Sequence, residues 1–123
     1  MSHCWYHALS SVKRFGGEPE DYLALHNWFD ESKKIVARPT HRALRHHAEG
    51  CFMAETVFGP VLTNSAGKDV PVRLLAERHI VEDLGMIPSF ADWARLIRPA
   101  PWVLRGNPRE LGPDLVAGAA TVG

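Results

Sequence analysis

The sequence predicts a mainly α fold, about five helices in a compact bundle with one short β-hairpin. Three observations predict it. Apolar residues recur at helical spacing over most of the chain before Pro99, glycine and proline break that pattern at helix-length intervals, and β-branched residues gather only around the turn-forming Asn64-Ser65-Ala66-Gly67. At 123 residues the chain is long enough for a single core without staples, and a homo-oligomer is compatible with its size.

The elements follow in order. In HCWYHALSSVKRF, the residues Trp5, Ala8, Leu9 and Val12 share one helical face, and Gly16-Gly17 stops the helix. Pro19 opens a second helix with Tyr22, Leu25 and Phe29 as its apolar stripe, acids early and Lys33-Lys34 late, as the helix dipole prefers. After the break at Pro39, Thr40 caps a third, central helix expected to run through residues 40 to 58. PVLTNSAGKDVPV reads as a hairpin at about residues 61 to 72. RLLAERHIVEDL is a fourth helix ending at Gly85. A fifth follows in PSFADWARLIRP, with Ser89 as its cap, Asp92 three residues on, and Phe90, Trp93, Ala94 and Ile97 as its inner stripe. Residues 1–105 are therefore expected to form one helical domain and residues 106–123 a disordered tail.

Lys plus Arg and Asp plus Glu both total 14, so charge carries no nucleic-acid signature and no attraction to an anionic membrane. No apolar run approaches the roughly 20 residues that span a bilayer, and no signal peptide is evident. Two cysteines, Cys4 and Cys51, fit a reduced, cytoplasmic protein. They read as small buried hydrophobes, and a Cys-His hydrolase finds no third group to orient His47.

The stretch THRALRHHAEGCFMAE, residues 40 to 55, concentrates polar groups with ligand chemistry. Rotating about 100° per residue from His41 places Leu44, Ala48, Phe52 and Glu55 on its face, with His47 and Cys51 on the flank and His46 pointing away. In the fourth helix, taking Leu74, Val81 and Leu84 as the buried edge puts Glu77 among them and His79 on the opposite side with Val72, Leu75 and Ala76. The first helix adds His3 and His7, four apart around Cys4. A carboxylate on an apolar stripe is costly unless paired or metal-bound. The expected site is thus a transition-metal centre, zinc or iron, held by His41, His47 and His79, with Glu55 or Glu77 as ligand or as general base in a hydrolytic reaction. No HExxH, paired CxxC, Rossmann or P-loop pattern occurs. The alternative is a module without chemistry, in which Arg42, Arg45 and His46 form an anion-binding edge for a small molecule or a host protein. A third reading makes the histidines purely architectural.

HCWYHALSSVKRFGGEPEDYLALHNWFDESK, HRALRHHAEG, TNSAGKDVPVR and ERHIVEDLGMIPSFADW together resemble a family of short proteins of bacteria and their phages classed as a domain of unknown function. The resemblance covers roughly residues 3 to 98. It implies a shared fold and no catalytic residue. The family's usual EQHV is Glu77-Arg78-His79-Ile80 here, which sets a cation beside Glu77.

Overall fold

The computed structural model describes residues 2–106, so the expected tail lies outside the described residues except for Gly106. The chain divides into two compact units, Met1–Trp93 and Ala94–Gly123. The first unit contains α1 (Ser2–Phe15), α2 (Glu20–Asp30), α3 (Ala48–Phe58), a hairpin of β1 (Val61–Thr63) and β2 (Asp69–Pro71), and α4 (Val72–Leu84). The short α5 (Phe90–Ala94) ends at the boundary, and two 3₁₀ turns, Glu31–Lys34 and Pro39–Leu44, lie between α2 and α3. A mainly α fold with one hairpin is what the sequence predicts.

The hairpin is antiparallel, with Leu62 opposite Val70. Its turn is organised by the buried Asn64, whose Oδ1 accepts from the amides of Ala66 (2.9 Å) and Lys68 (3.0 Å). The Nδ2 of Asn64 donates to the carbonyl of Phe15 (3.2 Å) and to the Tyr22 hydroxyl (3.1 Å), tying the turn to the α1–α2 corner. Against this corner packs an apolar core of Tyr22, Leu25, Phe29, Ala54, Val70, Val72, Leu75 and Ile80. Each fully buried large side chain there contributes about 1.5–3 kcal/mol. The α5 cap forms as the sequence predicts: Asp92 accepts from the Ser89 amide (2.9 Å), and the Ser89 hydroxyl accepts from the Asp92 amide (3.2 Å).

Residues 40 to 58 are not one helix. The segment starts as the 3₁₀ turn Pro39–Leu44, leaves helical geometry over Arg45–His47, and begins α3 only at Ala48. His47 makes this break: its Nδ1 accepts from the Gly50 amide (2.9 Å), capping α3, while its Nε2 donates to the Leu44 carbonyl (3.1 Å). A side chain that bonds nearby backbone competes with helix continuation. Gly50 is required, because a Cβ there would collide with the carbonyl oxygen of Arg45. Arg45 anchors the bend by donating to the Trp28 carbonyl (2.6 Å), pairing with Glu31 (3.1 Å) and lying over the Trp28 ring (4.2 Å).

The break overturns the helical phase expected for this region. Phe52 is 53% exposed and His46 fully buried, the reverse of the predicted order, and α3 buries Gly50, Cys51 and Ala54. In α1 the inner face is Cys4, His7, Ala8 and Ser11, with Trp5 and Leu9 exposed. In α4 it is Val72, Leu75, Ala76, His79 and Ile80, with Leu74 and Val81 exposed. Only α2 buries its predicted stripe of Tyr22, Leu25 and Phe29, and it adds His26 and Asp30. No residue of α5 is fully buried.

Candidate metal centre

The inward faces of α1, α2 and α4 and the segment before α3 bring a polar cluster together. Its members are His7, His26, His46, His79, Asp30 and Asp83, and all four imidazoles are buried. On α2, His26 and Asp30 are four apart; on α4, His79 and Asp83 are four apart; each pair therefore lies on one face.

Three ring nitrogens converge on Asp83. His46 Nε2 lies 2.9 Å from Oδ2, His79 Nε2 3.3 Å from Oδ2, and His7 Nε2 3.2 Å from Oδ1. Asp30 Oδ1 stands 3.5 Å from both His46 Nε2 and His79 Nε2. One donor atom from each of His7, Asp30, His79 and Asp83 fits within a sphere of mutual separations no greater than 4.8 Å. Donors about 2.0–2.2 Å from one ion stand about 2.8–3.6 Å from each other in tetrahedral or octahedral sets, and the imidazole–carboxylate separations here, from 2.9 to 3.5 Å, fall in that range.

Groups around the cluster orient its rings. Ser11 donates its hydroxyl to the His7 carbonyl (3.0 Å) and accepts from His26 Nε2 (2.8 Å). Burial, with the charges of His79 and His7 adding to it, pushes the His26 pKa down to about 2, so this ring is neutral. Its Nδ1 is then an acceptor, and the proton shared over 2.9 Å between His26 Nδ1 and His79 Nδ1 comes from His79. The Nε2 of His79 faces two carboxylates, with Asp83 Oδ2 at 3.3 Å and Asp30 Oδ1 at 3.5 Å. His7 bridges two carboxylates. Its Nδ1 donates to Glu82 (2.6 Å), which is itself held by Ser10 and by Arg78 at 3.5 Å, and its Nε2 faces Asp83. Histidines that ligate metals are commonly set in this way, with the far nitrogen donating to a carboxylate or another acceptor.

Electrostatics agree with a site that calls for positive charge. Burial alone would lower the affinity of His7 and His46 for protons. Hydrogen bonds to Asp83 and Glu82 for His7, and to Asp30 and Asp83 for His46, outweigh that effect and raise both. Burial likewise disfavours the Asp30 and Asp83 anions, but bonds from His46 and His79 to both and from His7 to Asp83 hold them well below the usual carboxylate range. The Cys4 thiol, pushed up to about 12 chiefly by burial, donates to Asp30 Oδ2 over 3.3 Å. Both cysteines are free.

Of the site residues expected from sequence, only His79 lies in this cluster. His41 neighbours it, with its ring 5.8 Å from that of His46, and its Nδ1 bonds the Ser32 hydroxyl (2.7 Å). Both nitrogens of His47 are engaged in the helix cap. Glu55 lies near Arg73 (3.8 Å), and Glu77 lines a separate cleft with Arg14, Phe15 and Arg78. Arg78 pairs with Glu82 rather than Glu77. The predicted anion-binding edge does not form as a unit, because Arg45 is tied to Trp28 and Glu31 and His46 is buried against Asp83. Sequence reasoning noted His7 beside His3 without placing it in the ligand set, and it missed His26, His46, Asp30 and Asp83 as ligand candidates. A detectable signal existed for two pairs: HNWFD and HIVED each place a histidine and an aspartate four residues apart on an otherwise apolar face.

Fold and site together define a small helical domain built around a buried histidine–carboxylate cluster. The chain belongs to the family described as a domain of unknown function, DUF6915, whose model matches residues 2–103. No curated protein and no solved structure matches it. No helix among the described residues is long and apolar enough to cross a membrane.

Proposed function

We propose that this protein is a metal-binding domain that holds one transition-metal ion through His7, His46, His79, Asp30 and Asp83. The observation that carries this reading is the convergence of buried imidazoles on two carboxylates: His46 Nε2 and His79 Nε2 each lie within 3.5 Å of both Asp30 Oδ1 and Asp83 Oδ2. Two carboxylates held out of water require positive charge beside them, and one bound cation supplies it to the whole set. Three imidazoles and two carboxylates suit zinc or iron(II), which take mixed nitrogen and oxygen donors. When bound, such an ion supplies Lewis acidity and fixes four elements of the fold to one another. Glu55 and Glu77, expected from sequence as ligands or as a general base, have no part in this reading because they face other groups.

Equilibrium dialysis of tag-free protein against zinc or iron(II) tests it. One equivalent should bind with high affinity. Asp83→Asn should weaken that binding by about 10–100-fold or more, as loss of ligand-shell groups generally does, and His47→Ala should leave it intact. Binding that survives Asp83→Asn unchanged, or that is absent from the wild-type protein, overturns the assignment.

A further inference from the structure

The chain between the two 3₁₀ turns walls a cleft of about 280 Å³ lined by Lys33, Ala37, Arg38, Pro39, His41 and Arg42. Three of these side chains are cations and none is an acid. Lys33 and Arg38 form no ion pair with a carboxylate among the described residues, and the Nε of Arg42 is buried without a hydrogen bond. The Arg42 guanidinium is steadied from behind, its Nη2 3.8 Å from Asp83 Oδ1. Cations crowded around a concavity repel one another, and a phosphate, with its several acceptor oxygens, is the ligand that pairs with such a set. His41 is also a wall of a second recess, about 300 Å³ and largely apolar, formed by Ile35, Val36, Leu44 and Phe90.

We propose that the cationic cleft binds the phosphate of a small phosphomonoester whose apolar organic part occupies the recess on the other side of His41. Lys33 and Arg38 are not among the metal-cluster donors, and Arg42 meets the cluster only at Asp83, so the two sites are neighbours with separate donors.

Titration calorimetry of the full chain, stripped of metal, with inorganic phosphate and with phenyl phosphate tests the proposal. Both should bind saturably, phenyl phosphate about tenfold more tightly, as roughly 1.4 kcal/mol of added apolar contact gives. Lys33→Ala and Arg38→Ala should each weaken both ligands by about tenfold, the loss expected for one charge-assisted contact. Leu44→Ser should remove only the advantage of phenyl phosphate. Absence of saturable binding by either ligand, or binding indifferent to Lys33→Ala and Arg38→Ala, overturns the proposal. Equal affinity for the two ligands overturns the ester and assigns the cleft to free phosphate. Because the metal-stripped protein is used, a failed metal assignment leaves these readings intact.

Discussion

The interior has two halves that share helices and differ in chemistry. On one side Leu25, Val70, Val72, Leu75 and Ile80 pack as hydrocarbon between α2, α4 and the hairpin. On the other, beginning one residue along the same helices, His26, Asp30, His79 and Asp83 meet His7 and His46 with almost no solvent. Phe29 lies at the junction, its ring stacked on His79 with centroids 4.9 Å apart. The apolar half is stabilised by removal from water and asks only for volume and shape. The polar half is stable only if every proton and charge is placed, which makes it conditional on what it holds. A helix can thus satisfy two different demands on adjoining faces, and only the apolar demand shows in a hydropathy pattern.

The largest expected effect falls on the apolar side. Phe29→Ala should cost about 3–5 kcal/mol, with or without chelator, whereas Phe52→Ala, which removes an exposed ring 4.7 Å from Arg73, should cost within about 1 kcal/mol. Denaturant melts check both, and equal losses would mean that the inner face of α3 has been misplaced. An intermediate effect falls on the polar side. Ser11→Ala removes the acceptor of His26 Nε2 and frees the ring to present its proton to His79 instead, which puts a proton on the ligating nitrogen. Metal affinity should drop by about 10–100-fold, the usual cost of losing a partner that orients a ligand. Unchanged affinity in a competition titration would show that the proton chain does not set the His79 tautomer.

The smallest effect concerns neither half. Asp21 accepts from the amides of Glu18 (2.7 Å) and Ser65 (3.0 Å) and from the Ser65 hydroxyl (2.8 Å), and these bonds lower its pKa below the ordinary 3.8. Its stabilisation is therefore present above the unfolded pKa and lost as pH falls through the lower folded value. Wild-type protein should lose this small margin on acidification below about pH 4, and Asp21→Asn should flatten that part of the curve. Superimposable pH–stability curves would remove Asp21 as the link between the hairpin turn and α2.

Much of the fold was legible in the sequence, and the site was legible mainly at His79. The α2 stripe, the Asn64 turn, the α4 stop at Gly85 and the Ser89 cap rest on local chemistry that the residues carry wherever they are placed. The break before α3 was hidden because it depends on His47 capping and on Arg45 reaching Trp28, contacts that no periodicity reports. Carrying the helical phase through that break turned His46 outward and Phe52 inward. In α1 the predicted Ala8 and Val12 meet the core while Trp5 and Leu9 do not, and in α4 Leu84 does while Leu74 and Val81 do not, because the inner faces are made partly of histidine, serine and alanine. Polar residues count against burial in any hydropathy reading, so a buried polar centre inverts the inference near it.

X-ray absorption at the edge of the bound metal tests the central claim most directly, because it counts the neighbours of the ion. The account predicts a shell of nitrogen and oxygen at about 2.0–2.2 Å with multiple scattering from about three imidazoles and no sulfur, Cys4 remaining a protonated neighbour of Asp30. A shell with thiolate sulfur at about 2.3 Å, or one with a single imidazole, would contradict it.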